Sequence, residues 1–562
     1  MEKLSLNELK YKSRRRKMDV ATLENALDEK SKNFWWILSL FLLTSSPGIL
    51  NSMHITSYVF LADNPVVWCH VPELTNSNWT SEQIRNISSL DTTKEENCYM
   101  YDWNYTLFSA IGYEESLNFI SGQKNRPDKI KCTSYDYNET ISSVVSEWDL
   151  VCDATPLKSL VQVAVAVGKF VGAFCFGMVA DKFGRKKVFL FCCILYMIAG
   201  PIAAIASTYA LLLLMRVLIG IAGSGVYEAG YTILSEMTVK KYRTNLGCLY
   251  NISYSIGLIF LPIFAYYSSD WRRLQLLLSA PSAFLLIHCW CLPESPRWLM
   301  TQGRNKEAWK LIKGPYSEQR PITDANIQSD TDNVQEAKHP WYKKIFFVLQ
   351  KLFKLFSTKE LRRRIIICYF CWLVASMSYF TIALNAHNFT ANKYIYVALN
   401  GVAEAPGYIL PLIILGFIGR KLTGVLLFLI AGISLLIILV IPSGIPIMIV
   451  ALIGRLCMSA VFAVIILHTS ELFPTSNRNT AIGTSLTMAQ VGTIIAPFVV
   501  DIGGAQAWWI PSTFCGVMSI IAGLLILLLP ETRNKPMLDT IQEVDQSNRY
   551  KNVSFKNCFS FS

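Results

Sequence analysis

Gly184-Arg185-Lys186 lies between two long apolar segments and is repeated 235 residues further along the chain as Gly419-Arg420-Lys421. Two more pairs follow in the same order at nearly the same spacing, Ser235-Glu236 with Ser470-Glu471 and Pro293-Glu294 with Pro530-Glu531. Three short matches in one order at a near-constant offset indicate an internal duplication. Because apolar segments separate the matches, the duplication predicts a membrane protein of two similar halves. Parallel halves around a site near the bilayer midplane are typical of one large class of secondary transporter.

The composition also indicates a membrane protein. The chain is 52% hydrophobic and 16% charged, whereas a soluble domain has about 25% charged residues. A bilayer core about 30 Å thick requires roughly 20 apolar residues for each helix that crosses it. No cleavable signal peptide is expected, since the first apolar run is long enough to span and polar residues precede it. The sequence predicts an all-α protein with twelve spans, six on each side of a long polar stretch, at 34–61, 157–180, 187–206, 209–237, 245–267, 274–292, 364–384, 396–417, 422–442, 445–467, 480–500 and 507–529.

The positions of lysine and arginine predict the orientation. Basic residues cluster in the N-terminal segment, after the second and fourth spans and in the central polar stretch. If twelve helices alternate, these segments share one side, and the positive-inside rule makes that side cytoplasmic. The net charge of +12 then reflects loops that face anionic lipid, so no nucleic-acid partner is expected. The predicted organisation is a cytoplasmic N-terminus 1–33, a first span 34–62, an extracellular segment 63–156, spans two to six 157–293, a cytoplasmic central loop 294–362, spans seven to twelve 363–530 and a cytoplasmic C-terminus 531–562.

The segment 63–156 is too long for an ordinary loop, so a small extracellular domain is expected. It is acidic, and it contains four acceptors for N-glycosylation, at Asn78, Asn86, Asn104 and Asn138. In an oxidising compartment its four cysteines suggest two disulfides, in any of three pairings. No C-x-x-C or histidine pair accompanies the cysteines, so a metal site is not expected. These cysteines are Cys69, Cys98, Cys132 and Cys152.

Several motifs resemble a known family. Residues 177–187, Gly-Met-Val-Ala-Asp-Lys-Phe-Gly-Arg-Lys-Lys, are similar to the loop motif of the major facilitator superfamily. The resemblance implies a fold of two six-helix pseudo-repeats and covers about residues 30–545. The segments that resemble its organic ion transporter branch, which carries organic cations, anions and zwitterions such as carnitine, are 147–153, 271–275, 293–298, 471–475 and 530–532.

The loop motif implies a set of gating charges at the cytoplasmic face. In the family, such contacts stabilise the outward-open state and break as the two halves rock. In the second copy Gly416 stands where the acid would be, so the N-terminal latch is expected to be the stronger one. The alternative is that these charges lie in the lipid headgroup region and gate nothing. The expected gating residues are Asp181 with Arg185 and Glu236, and Arg420 with Glu471.

Two acids are predicted well inside the membrane, where a charge costs about 2.5–3.5 kcal/mol on insertion scales. Glu228 lies in the fourth span and Glu404 in the eighth, so both are candidates to face one central cavity. Glu404 matches a carboxylate that is common in the family branch. The alternative for Glu404 is a pair with Arg455. A pair of Glu228 with Arg216 is not expected, since twelve residues of helix separate them by roughly 18 Å.

Aromatic side chains near these acids are candidates to bind a cation, because a ring face attracts a cation by about 0.5–2 kcal/mol. Tyr227 and Tyr231 lie four residues apart on one stripe of the fourth span. Tyr379 and Phe380 in the seventh span match an aromatic pair of the family. Gln162 is polar at depth in the second span and is a candidate to bond substrate or a neighbouring helix. The alternative for the aromatic residues is packing.

Gln490 leaves the charge of the substrate open. In the family, the corresponding site in the eleventh span is acidic in cation carriers and Arg in anion and carnitine carriers. A neutral amide fits neither pattern and leaves room for an amine, a zwitterion or an amino-acid conjugate. A cation is favoured, because two acids outnumber any central base found in the sequence.

The sequence therefore predicts a polyspecific or amine-selective secondary transporter of small organic cations in the plasma membrane, without a cofactor. Transport of zwitterions or organic anions is the first alternative, and a sensor that binds without transport is the second. No nucleophile, metal cluster or cofactor loop indicates an enzyme, and no P-loop indicates ATP-driven transport. The expected partners are a small organic ion and the lipid bilayer, with a homo-oligomer through the extracellular segment as a further expectation.

Overall fold

A computed structural model describes residues 23, 25–89, 98–123, 126–138, 142–313, 353, 355–389, 392–442, 444–474 and 477–533. The basic cluster 14–17, most of the predicted central loop and most of the predicted C-terminus lie outside these residues.

Twelve apolar helical segments run through the described part of the chain. Eleven are long and apolar enough to cross a membrane, and the last is a shorter apolar helix. They agree with the twelve spans predicted from the sequence and make the protein an all-α membrane protein. In chain order we call them spans 1 to 12: Phe34–Leu61, Cys152–Phe183, Arg185–Ala204, Tyr209–Met237, Asn245–Tyr266, Trp271–Cys291, Lys359–Leu384, Lys393–Phe417, Arg420–Ile437, Ile445–Leu472, Arg478–Gln506 and Ile510–Ile526.

Several spans are interrupted rather than regular. Span 1 consists of Phe34–Ser45, Pro47–Thr56 and Tyr58–Leu61, and span 2 of the short 3₁₀ turn Cys152–Ala154 and Thr155–Phe183. Span 5 combines the second part of the helix Lys240–Tyr250, from Asn245 onward, with Ile252–Tyr266. Span 6 combines Trp271–Ser279, a 3₁₀ segment Ala280–Leu286 and Ile287–Cys291. Span 11 continues from Arg478–Phe498 through a π-helical segment Val499–Gly503 to Gly504–Gln506. A π-helical turn inside an α-helix is frequently found at a functional site.

The packing of the spans repeats itself after six helices. Span 2 packs on span 4, span 3 on spans 4 and 6, and span 1 on span 5, while span 8 packs on span 10, span 9 on spans 10 and 12, and span 7 on span 11. Spans 1–6 and 7–12 are therefore two halves with the same arrangement. The halves meet along spans 5 and 8 and along spans 2 and 11.

Small residues allow the spans to approach closely. A Cβ on Gly168 of span 2 would lie 2.1 Å from the carbonyl oxygen of Val217, and one on Gly220 of span 4 would lie 2.2 Å from that of Val165. Helix association in membranes depends on such close backbone packing, since lipid provides no hydrophobic drive between helices. The crossing of spans 2 and 4 is thereby fixed near the middle of both helices.

The described residues between spans 1 and 2 form a small domain, the loop domain. Its strands are β1 Val67–Cys69, β2 Tyr99–Tyr101, β3 Lys129–Lys131 and β4 Tyr135–Tyr137, and β1 pairs with β4 and β2 with β3, both antiparallel. An apolar cluster that includes Trp68, Trp103 and Phe108 fills it. Disulfides join Cys69 to Cys132 and Cys98 to Cys152, which selects one of the three pairings that the sequence left open. Its helices are Pro72–Thr75, Ser81–Ser88, Tyr105–Ile111, Tyr113–Gly122 and Val144–Glu147.

Other short helices of the described residues lie outside the spans and the loop domain, among them residues 25–31 before span 1. Pro296–Thr301 and Asn305–Lys313 follow span 6, and Ala386–Phe389 follows span 7. The face of the membrane bundle on the side of the loop domain is called the loop-domain face below. Span 6 ends on the other side, so Pro296–Thr301 and Asn305–Lys313 lie at the opposite face.

Candidate translocation site

The repeated sequence marks form the same turn in each half. Gly184 directly precedes span 3 and has a φ of +106°, in the left-handed region that glycine tolerates best. The carboxylate of Glu294 accepts hydrogen bonds from the backbone N–H groups of Arg185 and Lys186 at 3.0 and 3.2 Å. A carboxylate is stabilised at this position, because a helix N-terminus has free N–H groups and a positive dipole end.

The second half repeats this arrangement. Gly419 has a φ of +98°, and Glu531 accepts from the N–H groups of Arg420 and Lys421 at 3.0 and 3.1 Å. Burial alone would raise the pKa of Glu531, but four backbone N–H groups hold that pKa below its ordinary value. The duplication thus preserves a turn and the acid that closes it.

The predicted gating charges pair within each half. Arg185 Nη2 lies 2.9 Å from Asp181 Oδ1 and 3.2 Å from Glu236 Oε1. Arg420 Nε lies 3.2 Å from Glu471 Oε2. The five residues therefore form two clusters, one in each half, at the face opposite the loop domain. Their role in gating stays a prediction.

The second cluster compensates for its missing acid through the backbone. Gly416 stands where the first copy has Asp181, and the carbonyl oxygen of Gly416 accepts from Arg533 Nη2 at 2.6 Å. Arg533 also donates to the carbonyl oxygen of Phe417. An ion pair of the first half is thus replaced by two hydrogen bonds in the second.

Glu404 is fully buried and its carboxylate is paired. Its carboxylate is 0% exposed and lies 2.7 Å from Arg455 Nη2 in span 10. The hydroxyls of Tyr379 and Tyr408 donate to its other oxygen at 2.6 and 2.5 Å. The guanidinium carbon of Arg455 also lies 3.5 Å from the centroid of the Tyr379 ring.

For Glu404 the structure therefore shows the alternative arrangement, a pair with Arg455 inside its own half. A buried carboxylate that faced open space alone would be costly, and here a guanidinium and two hydroxyls satisfy it. The same cluster occupies Tyr379, which the sequence predicted to contact the substrate. Together these residues connect spans 7, 8 and 10.

Glu228 has a different environment. It is half-buried in span 4, and the Ser224 hydroxyl donates to its Oε1 at 3.3 Å. Arg216 lies too far away to pair with it, and instead donates to the carbonyl oxygen of His54 and to the hydroxyl of Ser57, both at 3.1 Å. Glu228 therefore keeps much of its acceptor capacity for another group.

The tyrosines of span 4 pack against span 5. The Tyr227 hydroxyl donates to Asn251 Oδ1 at 2.8 Å, and both Tyr227 and Tyr231 meet the Tyr250 ring edge to face. Tyr231 remains 41% exposed. Tyr227 therefore packs between helices, which is the alternative to binding a cation. Tyr231 packs on the same ring but keeps an exposed surface.

Both predicted glutamines have a carbonyl oxygen without a hydrogen-bond partner among the described residues. Gln162 is buried in span 2, and Gln490 is half-buried in span 11. In each, the buried Oε1 is unsatisfied. An unsatisfied buried acceptor is costly, so both amides are suited to accept from a ligand or from water.

Lys169 of span 2 was not identified from the sequence. It is half-buried, its ammonium lies 5.7 Å from the centroid of the Phe380 ring in span 7, and it attracts Glu228 electrostatically. The sequence favoured a cation because it found more central acids than central bases. The structure does not show this excess, since Arg455 balances Glu404 and Lys169 is a second central base.

A second charged cluster joins the halves at the loop-domain face. Asp501, in the π-helical segment of span 11, accepts from the hydroxyls of Tyr58 and Ser159, the latter at 2.6 Å. Lys158 Nζ lies 3.2 Å from Asp501 Oδ1 and also donates to Asn64 Oδ1. Tyr58, Ser159 and Lys158 belong to the first half and Asp501 to the second. We call these four residues the outer cluster.

A further ion pair lies beside the outer cluster. Lys393 at the start of span 8 pairs with Asp63 at the end of span 1. The Phe60 and Tyr394 rings stack at 5.3 Å between the same two spans. Both halves are therefore held together at the loop-domain face, by polar and aromatic contacts.

The predicted glycosylation acceptors lie on the surface of the loop domain. Asn78, Asn86, Asn104 and Asn138 are exposed. Their modification stays a prediction.

Comparison with known proteins decides the family. A profile described as "Sugar (and other) transporter" matches residues 99–544. The chain belongs to this transporter family. Among similar structures, the inward-open xylose transporter XylE of E. coli has a TM-score of 0.58 at 15% identity, covering 89% of this chain and 98% of that one. The bundle therefore has the major facilitator fold expected from the loop motif.

Organic cation transporters are among the proteins that are similar in sequence to this chain. The "Organic cation transporter protein" of Drosophila melanogaster is 33% identical, over 93% of this chain and 94% of the relative. An "Organic cation transporter-like protein" of the same organism is 31% identical, over 90% of this chain and 89% of the relative. Mouse "Solute carrier family 22 member 3" is 28% identical, over 90% of this chain and 92% of the relative.

Proposed function

We propose that the protein is a secondary transporter that carries small organic cations across the plasma membrane by alternating access. The observation that carries this proposal is the half-buried, incompletely satisfied carboxylate of Glu228 in span 4, which packs on span 2. The names of the relatives support the same substrate class. Tyr231, Phe380, Gln162 and Gln490 are proposed to complete the binding surface.

The contacts between the halves support an alternating-access mechanism. The outer cluster and the pair of Lys393 with Asp63 close the loop-domain face. The gating charges at the opposite face pair inside each half rather than between halves. We propose that this conformation is closed to the outside, with the loop domain extracellular and the termini cytoplasmic. Outward opening then requires the outer cluster to separate.

Glu404 is proposed to act as a positioning residue for this transport. Its pair with Arg455 connects spans 7, 8 and 10 and orients Tyr379 beside Phe380. The carboxylate balances a guanidinium and accepts from two hydroxyls, so a substrate that bound to it would have to displace one of these groups. Glu228 is the acid proposed to contact the substrate directly.

A competition panel tests the substrate class. We expect a permanently charged tetraalkylammonium ion to inhibit uptake of labelled tetraethylammonium, and an organic sulfonate not to inhibit it. Glu228→Gln should weaken binding about tenfold, because it removes an attraction worth about 1.4 kcal/mol in a partly buried site. Ser224→Ala is the matched control, since it removes one weak hydrogen bond and leaves the charge.

Two results would contradict the proposal, one from this panel and one from a binding measurement. Inhibition by the sulfonate alone would indicate an anion carrier. Binding of the labelled cation to the purified protein without its accumulation in vesicles would indicate a sensor.

A further inference from the structure

Lys169 lies inside the bundle of spans, where a charged side chain costs free energy. It lies near the middle of span 2, where the backbone of spans 2 and 4 is in contact: a Cβ on Gly220 would lie 3.0 Å from the backbone nitrogen of Lys169. This packing leaves the Lys169 backbone little freedom to move away. A lysine at such depth is found almost always facing a partner, a cavity or the bundle interior.

The ammonium of Lys169 lies among groups that suit a bound cation. The Phe380 ring, in the opposite half, lies 5.7 Å away, within the range of a cation–π interaction. Glu228, on the adjoining span 4, attracts the ammonium electrostatically. Within the described residues, neither Lys169 nor Glu228 has an ion-pair partner closer than 4.0 Å, so the two charges attract each other without being locked together.

We propose that Lys169 is an internal counter-cation, whose ammonium occupies the position of the substrate's cationic group when the site is empty. This inference rests on the proposed cation transport. An arriving organic cation takes over Phe380 and Glu228, and the flexible lysine side chain withdraws. Lys169 is thus a specificity-determining residue, since a substrate binds only if it competes with the tethered ammonium.

The proposal has a consequence for turnover. A carrier that completes a cycle of net uptake must return empty, and an unpaired Glu228 in a closed bundle would oppose that return. Lys169 neutralises Glu228 during this step. In exchange, by contrast, the carrier returns loaded, so the substrate itself neutralises Glu228 in both directions.

The test is uptake of labelled tetraethylammonium into vesicles that contain the full-length protein with Lys169→Met. We expect the half-saturating concentration to fall about tenfold, since a competing cation is removed. Net uptake into empty vesicles should fall several-fold relative to exchange into preloaded vesicles. Lys169→Arg, which keeps the charge, should resemble the unmodified protein in both measurements.

A double variant separates this role from a structural one. Lys169→Met with Glu228→Gln should recover the ratio of net uptake to exchange, because no unpaired charge remains, while its affinity for the cation stays low. An unchanged half-saturating concentration and an unchanged ratio in Lys169→Met would overturn the inference. So would loss of binding of an ammonium carboxylate with no change for tetraethylammonium, since Lys169 would then bind a substrate carboxylate. If the unmodified protein does not transport tetraethylammonium or any competing cation, the proposed function itself fails.

Discussion

Replacing Glu404 by Gln is expected to destabilise the protein strongly. The substitution leaves the buried Arg455 without a counter-ion, and removing one partner of a buried pair costs about 3–5 kcal/mol. Arg455→Met should have a similar cost, because it leaves the buried carboxylate without a counter-ion. We expect both variants to lower the thermal unfolding temperature of the purified protein and its amount in the membrane.

The double variant Glu404→Gln with Arg455→Met is the matched control. It removes both charges and should recover much of the lost stability, since an amide can still accept from Tyr379 and Tyr408. If Glu404→Gln kept full thermal stability but lost cation binding, the carboxylate would be a substrate ligand and its assignment as a positioning residue would be wrong.

The second large effect is expected at the outer cluster. Asp501→Leu removes the acceptor for Tyr58, Ser159 and Lys158 at once. A hydrogen bond to a charged group contributes about 1.5–3 kcal/mol, so even one lost bond changes the ratio of closed to open protein about 10- to 100-fold. We therefore expect Asp501→Leu to shift the protein toward a conformation open at the loop-domain face.

Spin labels measure this shift directly. Leu157 of span 2, next to Lys158, and Ile502 of span 11, next to Asp501, are both exposed. The distance between labels at these positions therefore reports the separation of the halves. We expect a longer distance in Asp501→Leu and a smaller change in Asp501→Asn, which still accepts hydrogen bonds. Identical distance distributions in Asp501→Leu and the unmodified protein would show that the cluster does not hold this face closed.

The sequence predicted the architecture because its signals are local or repeated. Apolar runs of about 20 residues are set by bilayer thickness, and the Gly-Arg-Lys turns recur because each half uses Glu294 or Glu531 to close the same helix start. The two disulfides were expected as a pair, but their connectivity depends on the three-dimensional course of the loop domain.

The site was predicted only in part, because no local sequence pattern shows which side chains of different helices pair with each other. Glu404 and Arg455 are 51 residues apart, and nothing in either segment states that the guanidinium faces the carboxylate rather than a cavity. Asp501 falls one residue after the predicted end of span 11, so it lies outside the residues predicted to span the membrane. Lys158 and Lys169 could have been predicted, because both are charged residues within the predicted span 157–180. A search of the spans for bases as well as acids would have found them.

The central claim is that the protein moves an organic cation and its charge across the membrane. The most direct test is accumulation of tetraethylammonium in proteoliposomes with a defined potential, where each charge gains about 2.3 kcal/mol per 100 mV. We predict that an inside-negative potential drives accumulation above the external concentration, that collapse of the potential abolishes it, and that Glu228→Gln reduces its initial rate. Uptake of tetraethylammonium that ignores the potential, or no uptake by protein that is folded and inserted, would contradict the account.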